Sequence, residues 1–209
     1  MKIFDLMPSV KNLIPHDYDH IRCAEYEKMI IEFLRNCSKG NSFEQVSGAP
    51  GAGKTTFCQK SIGGNFISFD KIMESLPSYK NDLQKYGNKQ AFANNEITAR
   101  IIGYEILRRA VEQGYSIVLE HSGVNAAHLE LVNNLKKLNY KTKVDFLLCD
   151  LKMLKDRASN REKITHRHTP QTMIEQRYAL IKEYIEKYKK ITDEFNVYNS
   201  SDKQYKKIS

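Results

Sequence analysis

The sequence predicts an α/β fold in three layers, with a central, mostly parallel sheet between two layers of helices. Three observations carry the prediction. First, short apolar runs at 43–47, 65–70, 116–120 and 143–149 alternate with longer segments of helical periodicity. Parallel strands need crossover connections, and helices supply them. Second, the runs 65–70 and 116–120 each end on a carboxylate, Asp70 and Glu120. Sheets of this kind hold their ligands at the carboxyl ends of the strands. Third, residues 48–55 read GAPGAGKT and complete the pattern G-x-x-x-x-G-K-[ST], with Gly48, Gly53, Lys54 and Thr55 at the fixed positions. A strand before this pattern and a helix after it specify a P-loop NTPase or kinase fold.

Each element follows from its local pattern. Residues 18–36 place Ile21, Tyr26, Met29, Ile30 and Phe33 at helical spacing. A polar, glycine-containing break at 38–42 separates that helix from the strand at 43–47. Residues 56–61 continue the phosphate loop as a helix, NFISFD (65–70) is a strand, and KIMESL begins a helix directly behind it. Residues 90–113 read as a long helix, with Ile97, Ile101, Tyr104, Leu107 and Val111 on one face and Gly114 at its close. SIVLE (116–120) is the next strand, followed by a helix at 126–138, a strand at 143–149 and a helix at 151–161. Pro170 takes the first turn of a helix reaching about residue 194, and FNVYN (195–199) is the last strand.

The phosphate loop has a definite chemistry. Its glycines let backbone N–H groups turn inward around a phosphate chain, and the following helix adds the positive end of its dipole. Gly48, Ala49, Pro50, Gly51, Ala52, Gly53, Lys54, Thr55 and Thr56 form this cradle. Lys54 would reach the β- and γ-phosphates, and the Thr55 hydroxyl would hold Mg²⁺. Asp70 can serve as a general base toward an acceptor hydroxyl or as a helix N-cap. Glu120 can orient a substrate or a Mg²⁺-bound water, or be a surface carboxylate at a strand end. The segment 157–168 (RASNREKITHRH) carries Arg157, Arg161, Lys163 and Arg167 between two helices. Beside a phosphate loop it reads as a basic lid over the triphosphate, and without one as a solvated loop.

Bulk properties exclude several classes. At 209 residues, 41% hydrophobic and 28% charged, the chain can bury a core of its own without disulfide or metal staples. Cys23, Cys37, Cys58 and Cys149 form no CxxC pair, which reads as reduced thiols in a cytoplasmic protein. No apolar run approaches the length of a bilayer span, so no membrane role is expected. The first 20 residues lack the continuous apolar core of a signal peptide, although export as an effector by another route stays open. The net charge of +8 is uneven: residues 1–100 hold 13 Lys+Arg against 11 Asp+Glu, and residues 101–209 hold 20 against 14. An anionic nucleotide, a nucleic acid or plain solvation each accounts for that.

Taken in order, the motifs resemble the zeta toxin family, the toxin kinases of epsilon–zeta toxin–antitoxin systems. The resemblance runs from about residue 40 to 200 and starts at GAPGAGKTT. NFISFDKIMESLPSY is similar to the family's strand ending in Asp and its later His-Pro-x-Tyr/Phe element, here Leu76-Pro77-Ser78-Tyr79 without the His. GYSIVLEHSG resembles the family's segment ending in Glu-Gly-Thr, NREK its arginine element at Arg161, and RHTP its Arg-Ala-Thr-Pro at Arg167. The resemblance implies that Asp70 is the catalytic base, that Arg161 and Arg167 clamp the transferring phosphate, and that Glu120 and Ser122 contact substrate. It also implies ATP and Mg²⁺ as cofactors, a small-molecule hydroxyl acceptor such as UDP-N-acetylglucosamine or a nucleotide, and a cognate antitoxin as partner. Val124 replaces an arginine that the family uses to hold its sugar-nucleotide. A 5′-hydroxyl polynucleotide kinase and a partner-gated ATP switch are the alternative functions. The expected organisation is a helical extension over 1–40 packed on the core, a P-loop kinase domain over 41–200 and a solvated tail over 201–209.

Overall fold

The structure, a computed structural model, describes residues 1–15, 24–202 and 204–208. Its strands are β1 (Ser42–Ser47), β2 (Ile67–Ser68), β3 (Ile117–Glu120), β4 (Lys141–Leu148), β5 (Glu194–Asn199) and β6 (Lys206–Lys207). They form one sheet in the order β2-β3-β1-β4-β5-β6. The first five run parallel and β6 runs antiparallel at the edge. This is the α/β fold that the sequence predicts. The apolar alternation of β1 and β4 buries Phe43, Val46, Val144, Phe146 and Leu147 between the sheet and its helices.

Register sets up the site. Val46 of β1 pairs with Glu120 of β3, and Glu120 pairs with Ser68 of β2. The carboxyl ends of three adjacent strands therefore finish level. Strand β1 lies between β3 and β4, so the chain leaving it enters the crevice where the strand order reverses.

The helices are α1 (Ile3–Leu6), α2 (Ala24–Arg35), α3 (Lys54–Phe57), α4 (Phe69–Ser75), α5 (Pro77–Glu112), α6 (Ala126–Lys137), α7 (Leu151–Thr165) and α8 (Gln171–Lys189). Several differ from the sequence expectation. Strand β2 stops at Ser68, because Ser68 caps α4 by accepting from the Lys71 N–H at 3.5 Å. Asp70 is thus neither a strand end nor the cap; it sits in the first turn of α4. Helix α5 starts at Pro77, well before residue 90, and Gly87 (φ 78°, ψ 176°) breaks it into two stretches. Ile97 of this helix is exposed, off the buried face that holds Ile101, Tyr104, Leu107 and Val111. Helix α7 continues one turn past Arg161 to Thr165, so Arg157, Arg161 and Lys163 stand on a helix rather than a loop. Pro170 is the N-cap of α8 and not a first-turn residue. The helix at 18–36 is described from Ala24 onward; Ile21 and Cys23 lie outside the described residues.

The C-terminal segment is not simply solvated. Lys206–Lys207 pair with Tyr198 and Asn199. The Tyr205 ring packs edge-on against Phe57 at 5.1 Å, and its hydroxyl donates to the Gly53 carbonyl at 3.0 Å. One aromatic residue amid polar ones is enough to dock the segment, because its ring finds an apolar partner and its hydroxyl an acceptor. At the other end, Leu6 and Ile3 are buried, Asn134 of α6 donates to the Leu6 carbonyl at 2.9 Å, and Arg109 of α5 pairs with Glu27 of α2 at 2.6 Å. Cys58 and Cys149 are buried free thiols and Cys37 is partly buried; burial pushes Cys58 up to about 12. Among the described residues no helix is long and apolar enough to cross a membrane.

Candidate active site

The turn from β1 into α3 wraps the phosphate loop around the sheet's carboxyl edge. Three glycines are required there by geometry. At Gly48 (φ 143°) a Cβ would stand 2.6 Å from the Leu147 carbonyl oxygen. Gly51 (φ 89°) lies so near α7 that a Cβ would stand 2.4 Å from the Leu154 carbonyl oxygen. Gly53 (φ 88°) caps α3 in the left-handed region beside Tyr205. Pro50, Gly51, Gly53, Lys54, Thr55 and Thr56 line a cleft of ≈ 890 Å³, while Ala49 and Ala52 are buried beneath it. Gly48 is buried too, and its N–H donates to the Ser122 carbonyl at 3.2 Å, tying the loop to the end of β3. The Lys54 ammonium turns back on its own loop and donates to the carbonyls of Gly48 (2.9 Å) and Ala49 (3.2 Å). Burial draws it below the ordinary lysine range, while Glu120 and Asp70 hold its charge in place. A phosphate chain in this cradle would give that ammonium a better partner than two carbonyls.

Glu120 and Thr55 are in direct contact. The Thr55 hydroxyl donates to Glu120 Oε1 at 2.8 Å, and the buried Oε2 has no hydrogen-bond partner among the described residues. An orphaned carboxylate oxygen beside a hydroxyl is a hard-oxygen donor set. It suits Mg²⁺, which takes one or two protein oxygens and fills the rest of its octahedron with phosphates and water. Among the described residues no group of three or more His, Cys, Asp or Glu could hold a metal, so a metal cage made of protein alone is not present there.

Helices α4 and α7 supply the opposite wall. Arg167, just beyond α7, is only 8% exposed along its side chain; its Nη1 lies 3.1 Å from Glu74 Oε1 and 3.4 Å from Asp70 Oδ2. Asp70 and Glu74 stand one helical turn apart and share this cation. Arg161 donates from Nη2 to Thr169 Oγ1 at 2.6 Å. Burial and the neighbouring Arg167 lower its affinity for protons. The Nε atoms of both arginines are buried without a partner among the described residues. Two partly unsatisfied guanidiniums facing Lys54 make a strongly anion-seeking wall. Arg157 is already engaged, donating to the carbonyls of Ser200 (3.0 Å) and Ser201 (2.5 Å).

A buried polar chain supports the 121–124 turn from behind. His128, fully buried, donates from Nδ1 to Gln45 Oε1 (2.8 Å), and its Nε2 accepts from the Tyr104 hydroxyl (3.1 Å). Gln45 donates to Tyr188 Oη at 3.2 Å, and Tyr188 donates to the Gly123 carbonyl at 2.9 Å. His121 stacks on His128 at 3.6 Å and accepts from the Gly123 N–H at 3.1 Å. Burial holds both imidazoles neutral, His128 down to about 3. Neither can act as a base near neutrality, and both serve to fix the backbone that follows Glu120.

Most of the residues singled out in the sequence therefore meet at one sheet edge: the phosphate loop, Asp70, Glu120, Ser122, Arg157, Arg161 and Arg167. Lys163 is not among the residues lining the cleft. The segment Leu76-Pro77-Ser78-Tyr79 starts α5, with Leu76 and Tyr79 buried and Ser78 donating to Asn95 at 2.6 Å. Sequence reasoning missed Glu74, Arg100, Arg177 and Tyr205, which also line the cleft. Glu74 was findable, four residues after Asp70 on the same helical face. The other three reach the site from distant elements and carry no local signal.

Comparison with known proteins identifies the family and the fold. The profile of the zeta toxin family matches residues 44–207. The fold is similar to that of a protein from the PezAT chromosomal toxin–antitoxin system of Streptococcus pneumoniae, with TM-score 0.71 and 16% identity over 93% of this chain and 80% of that one. It is also similar to the AvrRxo1-ORF1:-ORF2 complex solved with ATP, with TM-score 0.69 and 12% identity over 88% of this chain and 64% of that one. No curated protein matches the chain in sequence.

Proposed function

Because the chain belongs to the zeta toxin family, whose members are kinase-type phosphotransferases, we propose that it transfers the γ-phosphate of ATP to a hydroxyl of a nucleotide-sugar or nucleotide. The observation that carries this reading is the sharing of one cleft by Lys54, Arg161, Arg167 and Asp70. The phosphate loop binds the triphosphate through its N–H groups and Lys54. Thr55 and Glu120 would hold Mg²⁺, which supplies charge neutralisation at the β- and γ-phosphates when bound.

In the free protein Arg167 is paired with Asp70 and Glu74. A bound γ-phosphate competes for that guanidinium and frees Asp70, which is 45% exposed along its side chain, to face the acceptor. Asp70 takes the proton of the acceptor hydroxyl as its oxygen bonds to phosphorus; the bond from the γ-phosphorus to the bridging oxygen breaks, and ADP leaves. Arg161 and Arg167 stabilise the charge spread over the transferring group. Glu120 does double duty in this reading, toward Mg²⁺ through one face and toward the acceptor through the Ser122 turn. Residues 41–200 form the catalytic domain, residues 1–40 are an extension of it, and a cognate antitoxin is the protein partner that the family relationship suggests.

The test is direct competition. Wild-type protein is incubated with γ-labelled ATP, Mg²⁺ and a mixture of UDP-sugars, nucleosides, nicotinamide dinucleotides and a 5′-hydroxyl oligonucleotide, and products are identified by mass. Label on a small-molecule hydroxyl supports the proposal. Label on the oligonucleotide alone would move the function to polynucleotide repair.

A further inference from the structure

Tyr205 reaches the phosphate loop from beyond β5, and the mechanism above gives it no part. Residues 204 and 206–208 around it are exposed, whereas Tyr205 is half-buried and lines the cleft. The chain is anchored on both sides of it. Before it, Ser200 donates from its N–H (2.8 Å) and its hydroxyl (3.0 Å) to the Leu148 carbonyl, and Arg157 of α7 donates to the Ser200 and Ser201 carbonyls. After it, β6 pairs with β5, and the Ile208 N–H donates to the Val197 carbonyl at 2.8 Å. Tyr205 itself takes a φ of 50°, a conformation that is costly for a bulky residue and persists only when its surroundings hold it. The surroundings are the loop. Its ring meets Phe57, which packs in turn against Tyr198 at 5.1 Å. Its hydroxyl donates to the Gly53 carbonyl. Burial pushes that phenol above its ordinary range, outweighing the opposite effect of Thr56, so it stays protonated and able to donate.

The Gly53 carbonyl also accepts from the Phe57 N–H at 2.9 Å, as the first bond of α3, so Tyr205 fills its second lone pair. Helix α3 is only four residues long, and Gly53 caps it without a side chain to hold the turn. In the planar Gly53–Lys54 peptide the carbonyl and the Lys54 N–H point in opposite directions. Two donors on the carbonyl therefore fix the direction of that N–H, which has no intrahelical partner and points out of α3 into the loop. They also polarise the peptide and make the N–H a stronger donor. We propose that Tyr205 is a positioning residue of the cradle: it sets the Gly53–Lys54 peptide to receive a polyphosphate, and it makes Tyr205 and β6 a strap whose docking and nucleotide binding strengthen each other. This rests on the phosphate-binding part of the reading above.

Tripolyphosphate, which has neither base nor sugar, is the probe, with ATP beside it and Mg²⁺ present throughout. Each is titrated calorimetrically into wild-type, Tyr205→Phe and Tyr205→Ala protein, below the unfolding transition of each. Tyr205→Phe keeps the ring and removes the hydroxyl, so it should weaken both ligands by the same factor, about 3- to 10-fold. Tyr205→Ala should weaken both further; if it fails to fold, the phenylalanine variant gives the reading alone. In kinetics, Tyr205→Phe should raise KM for ATP by that factor and leave kcat within about twofold of wild type. Hydrogen exchange of residues 204–208 should slow on ATP binding in wild type and much less in Tyr205→Phe. Equal affinities in wild type and Tyr205→Phe overturn the proposal. A loss for ATP with none for tripolyphosphate also overturns it, because Tyr205 would then touch the nucleoside and not set the loop. If tripolyphosphate binding depends on Tyr205 while wild-type protein labels no acceptor, the transfer reading fails and the positioning role stands.

Discussion

The phosphate loop takes its shape from eight consecutive residues, whereas the wall facing it is assembled from α4, α5, α7 and α8. The loop needs only the end of β1, three glycines at positive φ and the start of α3. The facing wall needs Arg167 held by Asp70 and Glu74 across 93 or more residues of sequence, and Arg161 held by Thr169. The two regions touch at Gly51, where the loop backbone meets the Leu154 carbonyl of α7. One region is a preformed cradle. In the other, Arg167 pairs with Asp70 and Glu74, and Arg161 donates to a threonine hydroxyl. Under the proposed function, the difference teaches that binding and transfer belong to different regions, and mutations should separate them.

Lys54→Ala gives the largest expected effect. Loss of the loop cation should lower phosphoryl transfer at least about a thousandfold, as for other groups that stabilise developing charge. Its hydrogen bonds go only to loop carbonyls, although Glu120 and Asp70 also act on its charge, so thermal unfolding should change far less than turnover. Wild-type turnover in this variant would break the comparison, because the cradle would then not bind the phosphates.

Arg161→Ala and Arg167→Ala should each cost about a hundredfold in kcat with a smaller change in KM for ATP, since their contacts strengthen as charge develops. A change confined to KM would place these arginines with the cradle instead of with transfer. The distinction is read from steady-state kinetics at varied ATP.

The smallest effect concerns the scaffold behind both regions. His128 is neutral in the fold, with its affinity for protons lowered to about 3, whereas in the unfolded chain it titrates at its ordinary value. The unfolded state therefore binds the extra proton below about pH 6.5, and stability falls as pH drops from there toward 3. By pH 4 the loss should be on the order of 3 kcal/mol, with His121 adding to it in the same direction. Denaturant unfolding across that range should show a shallower pH dependence for His128→Gln than for wild type. Equal slopes would mean that the buried chain tolerates an imidazolium.

The same contrast explains what could be read from the sequence. Strands β1, β3, β4 and β5, the phosphate loop, Glu120 and the final long helix carry local patterns, so their positions were legible to within a few residues. Strand β2 is over-read because Phe69 extends the apolar run up to Asp70, while the Ser68 hydroxyl already caps the next helix. The stretch after Arg161 looked like a loop because it is basic and polar, yet helix α7 keeps it helical to Thr165. Tyr205 was read as part of a solvated tail, since nothing local reveals that Phe57 and Gly53 wait for it. Arg177 and Arg100 were invisible for a related reason. An arginine on a helix reads as solvated until tertiary packing turns it into a cleft.

The most direct test of the central claim is Asp70→Asn, assayed for transfer of labelled γ-phosphate to the preferred acceptor and, separately, for ATP binding. Asp70 lies on the wall and not in the cradle, and it pairs with Arg167. Transfer should fall at least about a hundredfold, the scale of lost general-base catalysis, while ATP affinity stays close to wild type. Transfer at the wild-type rate would contradict the account, because the carboxylate would then be only a first-turn partner for Arg167.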